Sequence, residues 1–469
     1  MQKPLLTCAQ WAEQTFGDVD LADCRRRRRL VKVAAALAGH PGGTLPGALP
    51  KWKDLKAAYR LLDNPSVTFE KLLRPQWRRV QSLCAAAGQY LVIEDTTLLD
   101  FTSHRSLRGI GRIGDDKGRG MFLHSSLAFR VEGWQEHCAQ LSLLGLAGQH
   151  RWVRAQELTR GEGVPVGREP KKRKYSRNRE SERWAKVLGE FAPPVPGNQR
   201  IYIADREGDM YELFGRCEAA GFDFVVRACQ NRALVDRQEG LFAAVGKQAE
   251  LGRYCLPLRG RPGSAARQAI IALRTARVVV RAPYRAGGRG WPREVVVVEA
   301  CEVNPPNDKQ AIHWVLLTSL ECDTYAQARR IIGMYCCRWM IEEYHKALKT
   351  GAGIEQTQLQ ECRRVESLLA ILSLVAVRLL DLKLQASENP QGRLHSDDIE
   401  PEALKILEAH FGLPPDGWTQ RNLWISIARL GGFLARKSDG TPGWQTLWRG
   451  WSRLQEMTEG AKLHRRSCG

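Results

Sequence analysis

YCCRWMIEEYHKALKTG, residues 335–351, is the stretch on which the reading of this chain turns. On a helical wheel at about 100° per residue counted from Tyr335, Arg338 falls near 300°, Glu342 near 340°, Lys346 near 20° and Lys349 near 320°. These five share one narrow face. Met340, Ile341, Tyr344, Ala347 and Leu348 fall roughly opposite and are expected to face a core. Glu343, near about 80° on the same wheel, lies off the polar stripe, so the wheel selects Glu342 over its neighbour. A solvated helix face usually mixes charges for i to i+4 pairing. One glutamate beside a tyrosine, an arginine and two lysines reads instead as a carboxylate ringed by phosphate-binding groups.

Two other segments supply carboxylates. YLVIEDTT, residues 90–97, and RIYIADREGD, residues 200–209, are short apolar runs, each breaking off in an aspartate and turn-forming residues. An aspartate at the end of a buried strand is costly unless its charge is compensated. If the strands are neighbours in one sheet, Asp95 and Asp205 emerge on the same edge, where two hard oxygen ligands suit Mg²⁺ or Mn²⁺ rather than zinc. Taken alone, each aspartate could equally be a turn residue or a helix cap. With Glu342 as a third ligand, the set fits two-metal phosphoryl transfer, with paired ions about 3.5–4 Å apart.

Charge points the same way. The chain of 469 residues has 71 Lys and Arg against 51 Asp and Glu, a net charge of +20. With 43% hydrophobic and 26% charged residues it is a folding, globular composition, and its length suggests about three domains. Nucleic acid is the partner that the charge favours. An anionic membrane surface ranks below it, because no segment reads as a basic amphipathic helix with a clean apolar face. The longest apolar run, Leu368 to Val377 broken only by Ser373, falls short of the roughly 18 residues of a membrane span, so no membrane partner is expected. Thirteen scattered cysteines without CxxC spacing give neither a disulfide framework nor a zinc site, and with no secretory signal at the N-terminus a cytoplasmic location is expected.

The first 88 residues read as helices: DCRRRRRLVKVAAALA (23–38), WKDLKAAYRLL (52–62) and TFEKLLRPQWRRVQSLCAAA (68–87), with five successive arginines at 25–29. Such a run is either a solvated face or, as mutual repulsion argues, a contact for an anionic partner. Strands follow, including HSSLAFRVEGW (124–134), a basic segment at 168–183, and a stretch from Leu251 to Arg293 with ten arginines and no acid. The last reads as antiparallel β structure with a basic face. From about Tyr325 the chain is helical to its end, with a break at 412–417.

The spacing of Tyr335, Arg338, Glu342 and Lys349 matches Tyr-x2-Arg-x3-Glu-x6-Lys in full, and here the chain resembles the DDE transposases of bacterial insertion sequences that carry this pattern. IEDTT at Asp95, ADREGD at Asp205 and RWMIEEYHKALKTGAG resemble the corresponding segments, and the similarity runs nearly end to end, through VAVRLLDLKL to IARLGGF and GWQTLWRGW. The resemblance is strongest to composite-transposon transposases that cut through a DNA hairpin. It implies an α/β fold: a ribonuclease H-like catalytic core at 89–385, interrupted by an antiparallel β insertion at about 236–310. A helical DNA-end-binding domain at 1–88 and a helical dimerisation domain at 386–469 would flank it.

The resemblance also implies a cut-and-paste activity on double-stranded DNA: nicking, hairpin formation, hairpin opening and strand transfer at one site holding two Mg²⁺ or Mn²⁺ ions. Asp95, Asp205 and Glu342 would be the metal ligands. Tyr335, Arg338 and Lys349 would grip phosphates and the flipped base, and Trp314, 28 residues before Glu342, would stack on or displace a base; alternatively it is a core tryptophan. Arg227 would contact DNA, Arg26 and Arg29 would read the terminal repeat, and His345 and Lys346 would lie near the DNA. Transposon ends, target DNA and a second copy in a synaptic dimer are the implied partners.

Trp444, Leu447, Trp448 and Trp451 share a helix face, which is either internal packing or the dimer contact. Gly109-x-Gly111-x-x-Gly114 spells a dinucleotide fingerprint but is not followed by a helix-forming run, so no nucleotide cofactor is expected and a glycine-rich loop near the site is. Two other functions remain open: a non-catalytic inhibitor of transposition, which the intact acidic triad argues against, and a hydrolytic nuclease on the same fold.

Overall fold

The structure, a computed structural model, describes residues 6–114, 118–154, 183–184, 186–235, 237–258, 266–285, 288–306, 311–388, 392, 394, 399–415, 417–436, 439 and 442–468. The basic stretch at 168–182 lies outside the described residues. Five helices open the chain: α1 (Cys8–Phe16), α2 (Cys24–Gly39), α3 (Leu45–Ala48), α4 (Trp52–Leu62) and α5 (Phe69–Leu83). Their starts are written locally, for Asp23 and Thr68 accept from the amides of Arg25 and Lys71 and so satisfy donors that the first turn leaves open.

Ten strands then build one mixed sheet. They are β1 (Gly88–Asp100), β2 (Gly111–Ile113), β3 (Gly118–Gln135), β4 (Cys138–Trp152), β5 (Asn198–Ala204), β6 (Asp223–Arg227), β7 (Gly252–Leu258), β8 (Arg267–Val280), β9 (Arg293–Glu302) and β10 (His313–Thr318). The order is β2-β3-β1-β5-β6-β10-β9-β8-β7, with β4 on the outer side of β3. β1 pairs antiparallel with β3 and parallel with β5, and β5 pairs parallel with β6. The helices α6 (Tyr211–Ala219) and α7 (Leu241–Gly246) lie between strands. From β10 to β7 every pairing is antiparallel, so the β region after residue 236 extends the central sheet.

Alternation along the strands divides the core between the two sheet faces. Leu91, Ile93, Ile201 and Ile203 belong to one apolar cluster, and Val92, Tyr202, Ala204 and Val226 to the other. The first face is covered by the helices that follow the sheet: α8 (Tyr325–Cys336), α9 (Trp339–Lys346) and α10 (Cys362–Glu388). The apolar run around Leu368–Val377 is the centre of α10. It is buried on nearly all sides, as an all-round apolar helix must be, and no described helix is long and apolar enough to cross a membrane. The helices α11 (Pro401–Phe411), α12 (Gln420–Leu430) and α13 (Trp444–Cys468) close the chain. Gly412 and Gly417, both at positive φ, mark the expected break.

Two expectations from sequence are corrected. The acid-free stretch is not a bare basic face, because neighbouring segments supply its counterions. Arg274 pairs with Glu250 and Glu299, Arg277 with Glu294, Arg267 with Glu302, and Arg293 with Glu218. The Gly109–Gly114 segment includes strand β2. A Cβ at Gly111 would lie 2.1 Å from the Arg154 carbonyl oxygen, so this glycine serves close backbone packing rather than a phosphate.

At the C-terminus α12 and α13 cross with their backbones in contact. A Cβ at Gly450 would stand 1.6 Å from the Ile427 carbonyl oxygen, whereas one at Gly460 meets nothing within 4 Å. Gly450→Ala should therefore force the helices apart and cost about 2 kcal/mol or more. Gly460→Ala should be neutral or stabilising by about 1 kcal/mol. Denaturant unfolding of the two variants checks the difference.

Candidate active site

The parallel pairing of β1 and β5 ends at Ile93 with Ile203. Asp95 and Asp205 each come two residues later, so the period of the strands directs both toward the helix-covered face. Asp95 is not the strand-terminal residue that the sequence led us to expect: β1 continues to Asp100 along β3, with Asp95 opposite Ser125. What ends at Ile93 is only the pairing with β5. Asp205 directly follows β5 and caps the short turn Arg206–Gly208, accepting the Glu207 amide at 2.8 Å.

These carboxylates lie close enough to perturb one another. Burial, and then the charge of Asp205, raise the Asp95 carboxyl from 3.8 to about 7; the Thr96 amide and Arg338 oppose the rise, and Glu207 adds to it. Glu207 is an acid that the motif reading missed. Its place two positions after Asp205, in a turn that must fold back, is the only hint the sequence carries.

Behind β1 a second feature was also missed. Glu94, fully buried on the opposite sheet face, accepts the Tyr202 hydroxyl at 2.7 Å and lies 3.1 Å from His124 Nε2. The His124 Nδ1 is 2.9 Å from the Thr96 hydroxyl. This network ties the strand segment that bears Asp95 to β3 and β5 through buried polar contacts, which the low local dielectric strengthens.

The third carboxylate comes from α9. The 335–351 stretch is not the single regular helix of the wheel. The chain turns at Cys337–Arg338 between α8 and α9, and the last five residues, Ala347–Gly351, form a π-turn. Even so, the two glutamates face different ways. Glu342 is exposed and receives Arg338 Nη2 at 2.5 Å, while Arg338 Nη1 stands 3.8 Å from Asp95 Oδ2. Arg338 therefore lies between Asp95 and Glu342 as their shared cation. Glu343 is buried. Burial pushes its carboxyl up, but bonds from Lys383, Lys346 and Trp444 outweigh this and hold it below the usual range.

The remaining predicted residues divide into those brought to the site and those committed elsewhere. Tyr335 is buried, edge-on to the half-buried Trp314 at 5.2 Å between ring centres. Arg227 lies over Trp314, 5.8 Å from its centre, and bonds the His313 carbonyl. Burial raises the Tyr335 hydroxyl pKa against the pull of Arg338 and Arg227. Trp314, Tyr335, Arg227 and Arg338 thus form one aromatic and cationic group beside the acids. Lys349 sits farther along β1, 3.7 Å from Glu355, whose carboxylate accepts the Asp100 amide at 2.9 Å.

Three sets of placements differ from expectation, those of Lys346, of His345 and of the pair Arg26 and Arg29, and one open alternative, the tryptophan face, is decided. Lys346 turns its ammonium away from Glu342 and bonds Glu343, three positions back on the same helix, at 3.1 Å. His345 is buried, and burial lowers its pKa to about 3, so its neutral ring points into the protein. Arg29 bonds the buried Asp54 at 2.9 Å, as does Lys32 at 2.7 Å, and Arg26 bonds the Leu21 carbonyl. The exposed members of the run are Arg25, Arg27 and Arg28. Trp444, Leu447, Trp448 and Trp451 are all buried within this chain, so their shared face is internal packing, while Met457 and Leu463 of the same helix are exposed.

The carboxylates of Asp95, Asp205 and Glu342 are oxygen donors of the type that divalent cations take, and a bound dication would relieve the burial and the repulsion by Asp205 that raise Asp95. Among the described residues no three acidic, histidine or cysteine side chains yet converge as a set of ligands; Glu342 is turned onto Arg338 instead. Two cavities, of about 340 and 470 Å³, lie between the N-terminal helices and the later ones, and none of the three acids lines them.

Three family models match successive parts of the chain: "Transposase DNA-binding" at residues 8–67, "Transposase DDE domain" at 169–378 and "Transposase Tn5 dimerisation domain" at 407–468. The second contains Asp205 and Glu342 but begins after β1, so Asp95 enters the site on geometry alone.

Because the folded carboxyl of Asp95 titrates near 7 and the unfolded one near 3.8, the native state holds the extra proton between those values. Its stabilising effect is full below about 4 and is lost as pH rises through 7. Asp95→Asn should raise the unfolding temperature at pH 8 in the absence of divalent ions and flatten its dependence between pH 5 and 8. Thermal unfolding followed by circular dichroism checks both.

Proposed function

We propose that this chain, whose three matched domains support a DNA transposase of the DDE class, excises a mobile element at its terminal inverted repeats and joins it to target DNA. Residues 1–88 would bind the ends, residues 89–385 would carry out phosphoryl transfer, and residues 386–469 would bring two copies together. The observation that carries the reading is the placement of Asp95 and Asp205 two residues beyond one parallel pair of strands, with Arg338 and Glu342 on the helix above them. The order β4-β3-β1-β5-β6, antiparallel as far as β1 and parallel from there, supports a ribonuclease H-like core.

DDE domains generally use divalent metals, and a pair of Mg²⁺ or Mn²⁺ ions held by Asp95, Asp205 and Glu342 would neutralise phosphate charge and lower the pKa of an attacking water. The chain's own residues supply orientation and charge. Arg338 is positioned to exchange its carboxylate partners for a DNA phosphate, which would free Glu342 to turn toward the aspartates. Arg227 and Lys349 add cations on either side of that position.

One site serves all steps, because each is an attack by an oxygen nucleophile on a phosphodiester. Water would nick one strand, the freed 3′ hydroxyl would attack the opposite strand to give a hairpin, water would reopen the hairpin, and the same 3′ hydroxyl would join target DNA. Trp314, resting edge-on to Tyr335, is placed to accept or displace a base unstacked by the tight hairpin bend. Self-association would use surface of α13 outside the buried tryptophan face, with Met457 and Leu463 available.

Purified protein incubated with its element's end DNA and Mg²⁺ should give hairpin ends and joined products. Glu342→Ala should abolish cleavage and leave end binding intact, and Trp314→Ala should nick but stall before the hairpin. Hydrolysis without joining would favour a nuclease, and binding without cleavage an inhibitor. Normal hairpin yield from Trp314→Ala would return that side chain to a packing role.

A further inference from the structure

Glu343 stands next to the proposed catalytic acid, yet its side chain points the other way, into the protein. It is 7% exposed and receives three donors from three helices. Lys346 of its own helix donates at 3.1 Å, Lys383 of α10 donates a short bond, and the Trp444 indole N–H of α13 donates at 2.7 Å. The ammonium of Lys383 also lies over the Trp444 ring, 4.4 Å from its centre. The first residue of the C-terminal helix is thereby bonded directly to the residue beside Glu342.

The mechanics of α9 make this joint consequential. The helix has only eight residues and is bounded by the turn at 337–338 and the π-turn at 347–351. Neither end continues it as a regular α-helix that would fix its rotation. The π-turn is packed against α13 as well: a Cβ at Gly351 would lie 2.4 Å from the Trp448 indole nitrogen, and Trp448 stacks on Trp444 at 5.0 Å. Adjacent helix positions rotate together, about 100° apart, so fixing the Glu343 carboxylate fixes the direction in which Glu342 leaves the helix.

We propose that Glu343, Lys383 and Trp444 form a joint through which the C-terminal helix sets the orientation of α9, making Trp444 a positioning residue for Glu342. The inference rests on Glu342 acting in DNA cleavage. It gives the matched C-terminal domain a role within its own chain's catalytic site, separate from association with a second copy. Its physical basis is that of outer-shell partners generally, which hold a ligand in the geometry that binding requires.

The test is Trp444→Phe, which keeps a ring against Lys383 and removes only the N–H donor. Single-turnover cleavage of end DNA at saturating protein should fall about 10-fold, and half-saturation should need several-fold more Mg²⁺. End-DNA affinity and oligomeric state should stay as in the parent. Hydrogen exchange at the amides of 340–346 should be faster in the Mg²⁺-free protein. Leu447→Ala, one turn along the same helix and remote from Glu343, is the comparison for general loosening. Parent-like cleavage, metal dependence and exchange in Trp444→Phe would overturn the proposal, as would the same losses in a Leu447→Ala protein of equal stability. If Trp444→Phe does not fold, Lys383→Met should give the same pattern. Glu342→Ala in the same assay keeps the two claims apart: full cleavage by that variant would reject Glu342 itself, whereas a dead Glu342→Ala with an unaltered Trp444→Phe would reject only the joint.

Discussion

Two carboxylates held side by side at the end of paired parallel strands repel each other, and the geometry around them follows from how that repulsion is met. Asp95 and Asp205 are placed by register, and burial first, with the charge of Asp205 added to it, raises the Asp95 carboxyl to about 7. A fold without a use for the pair would gain by separating them or making one neutral. Instead the sheet backs Asp95 with a hydrogen-bonded network through Glu94, His124 and Tyr202, and the turn before α9 offers Arg338 as a nearby cation. In this state the arginine does in part what a divalent ion would do more strongly, since one delocalised charge at 3.8 Å cannot neutralise two acids.

Arg338 also explains why Glu342 stands apart from the aspartates. It is bound to the same guanidinium, and in the proposed function this held form would give way to an acting one in which phosphate takes the arginine. Substrate would thus complete the site that acts on it, a form of ordering in which binding energy assembles the catalytic groups. The joint at Glu343 limits how far the glutamate can move while this exchange takes place.

Much of the fold was legible from local pattern. The helix at Trp52–Leu62 has the bounds that its breakers gave, α2 begins at its aspartate cap, and the strands carrying Asp95 and Asp205 lie where apolar runs met turn residues. Glu342 was separable from Glu343 by helical periodicity, since one faces solvent and the other the interior. What periodicity could not carry was anything fixed by partners distant in sequence. Arg29 is drawn to Asp54 on another helix, the arginines of β8 meet glutamates of β9 and of the segment before β7, and Trp444 finds Glu343 a hundred and one positions away. The wheel grouped Lys346 with Glu342, but within the regular helix α9 its ammonium takes the equally near Glu343, three positions back. The net charge of +20 remains a sound argument for an anionic partner, but many of the cations that gave it addresses are already paired within the chain.

The central claim is that Asp95, Asp205 and Glu342 converge on one divalent-ion site when DNA is bound. Iron-directed cleavage tests it most directly, with Fe²⁺ in place of Mg²⁺, and ascorbate and peroxide generating hydroxyl radicals at the bound ion. With end DNA present the chain should be cut near residues 95, 205 and 342, and excess Mg²⁺ should suppress all three cuts together. Cuts confined to 95 and 205 in the presence of DNA, or cuts elsewhere that Mg²⁺ does not suppress, would contradict the account.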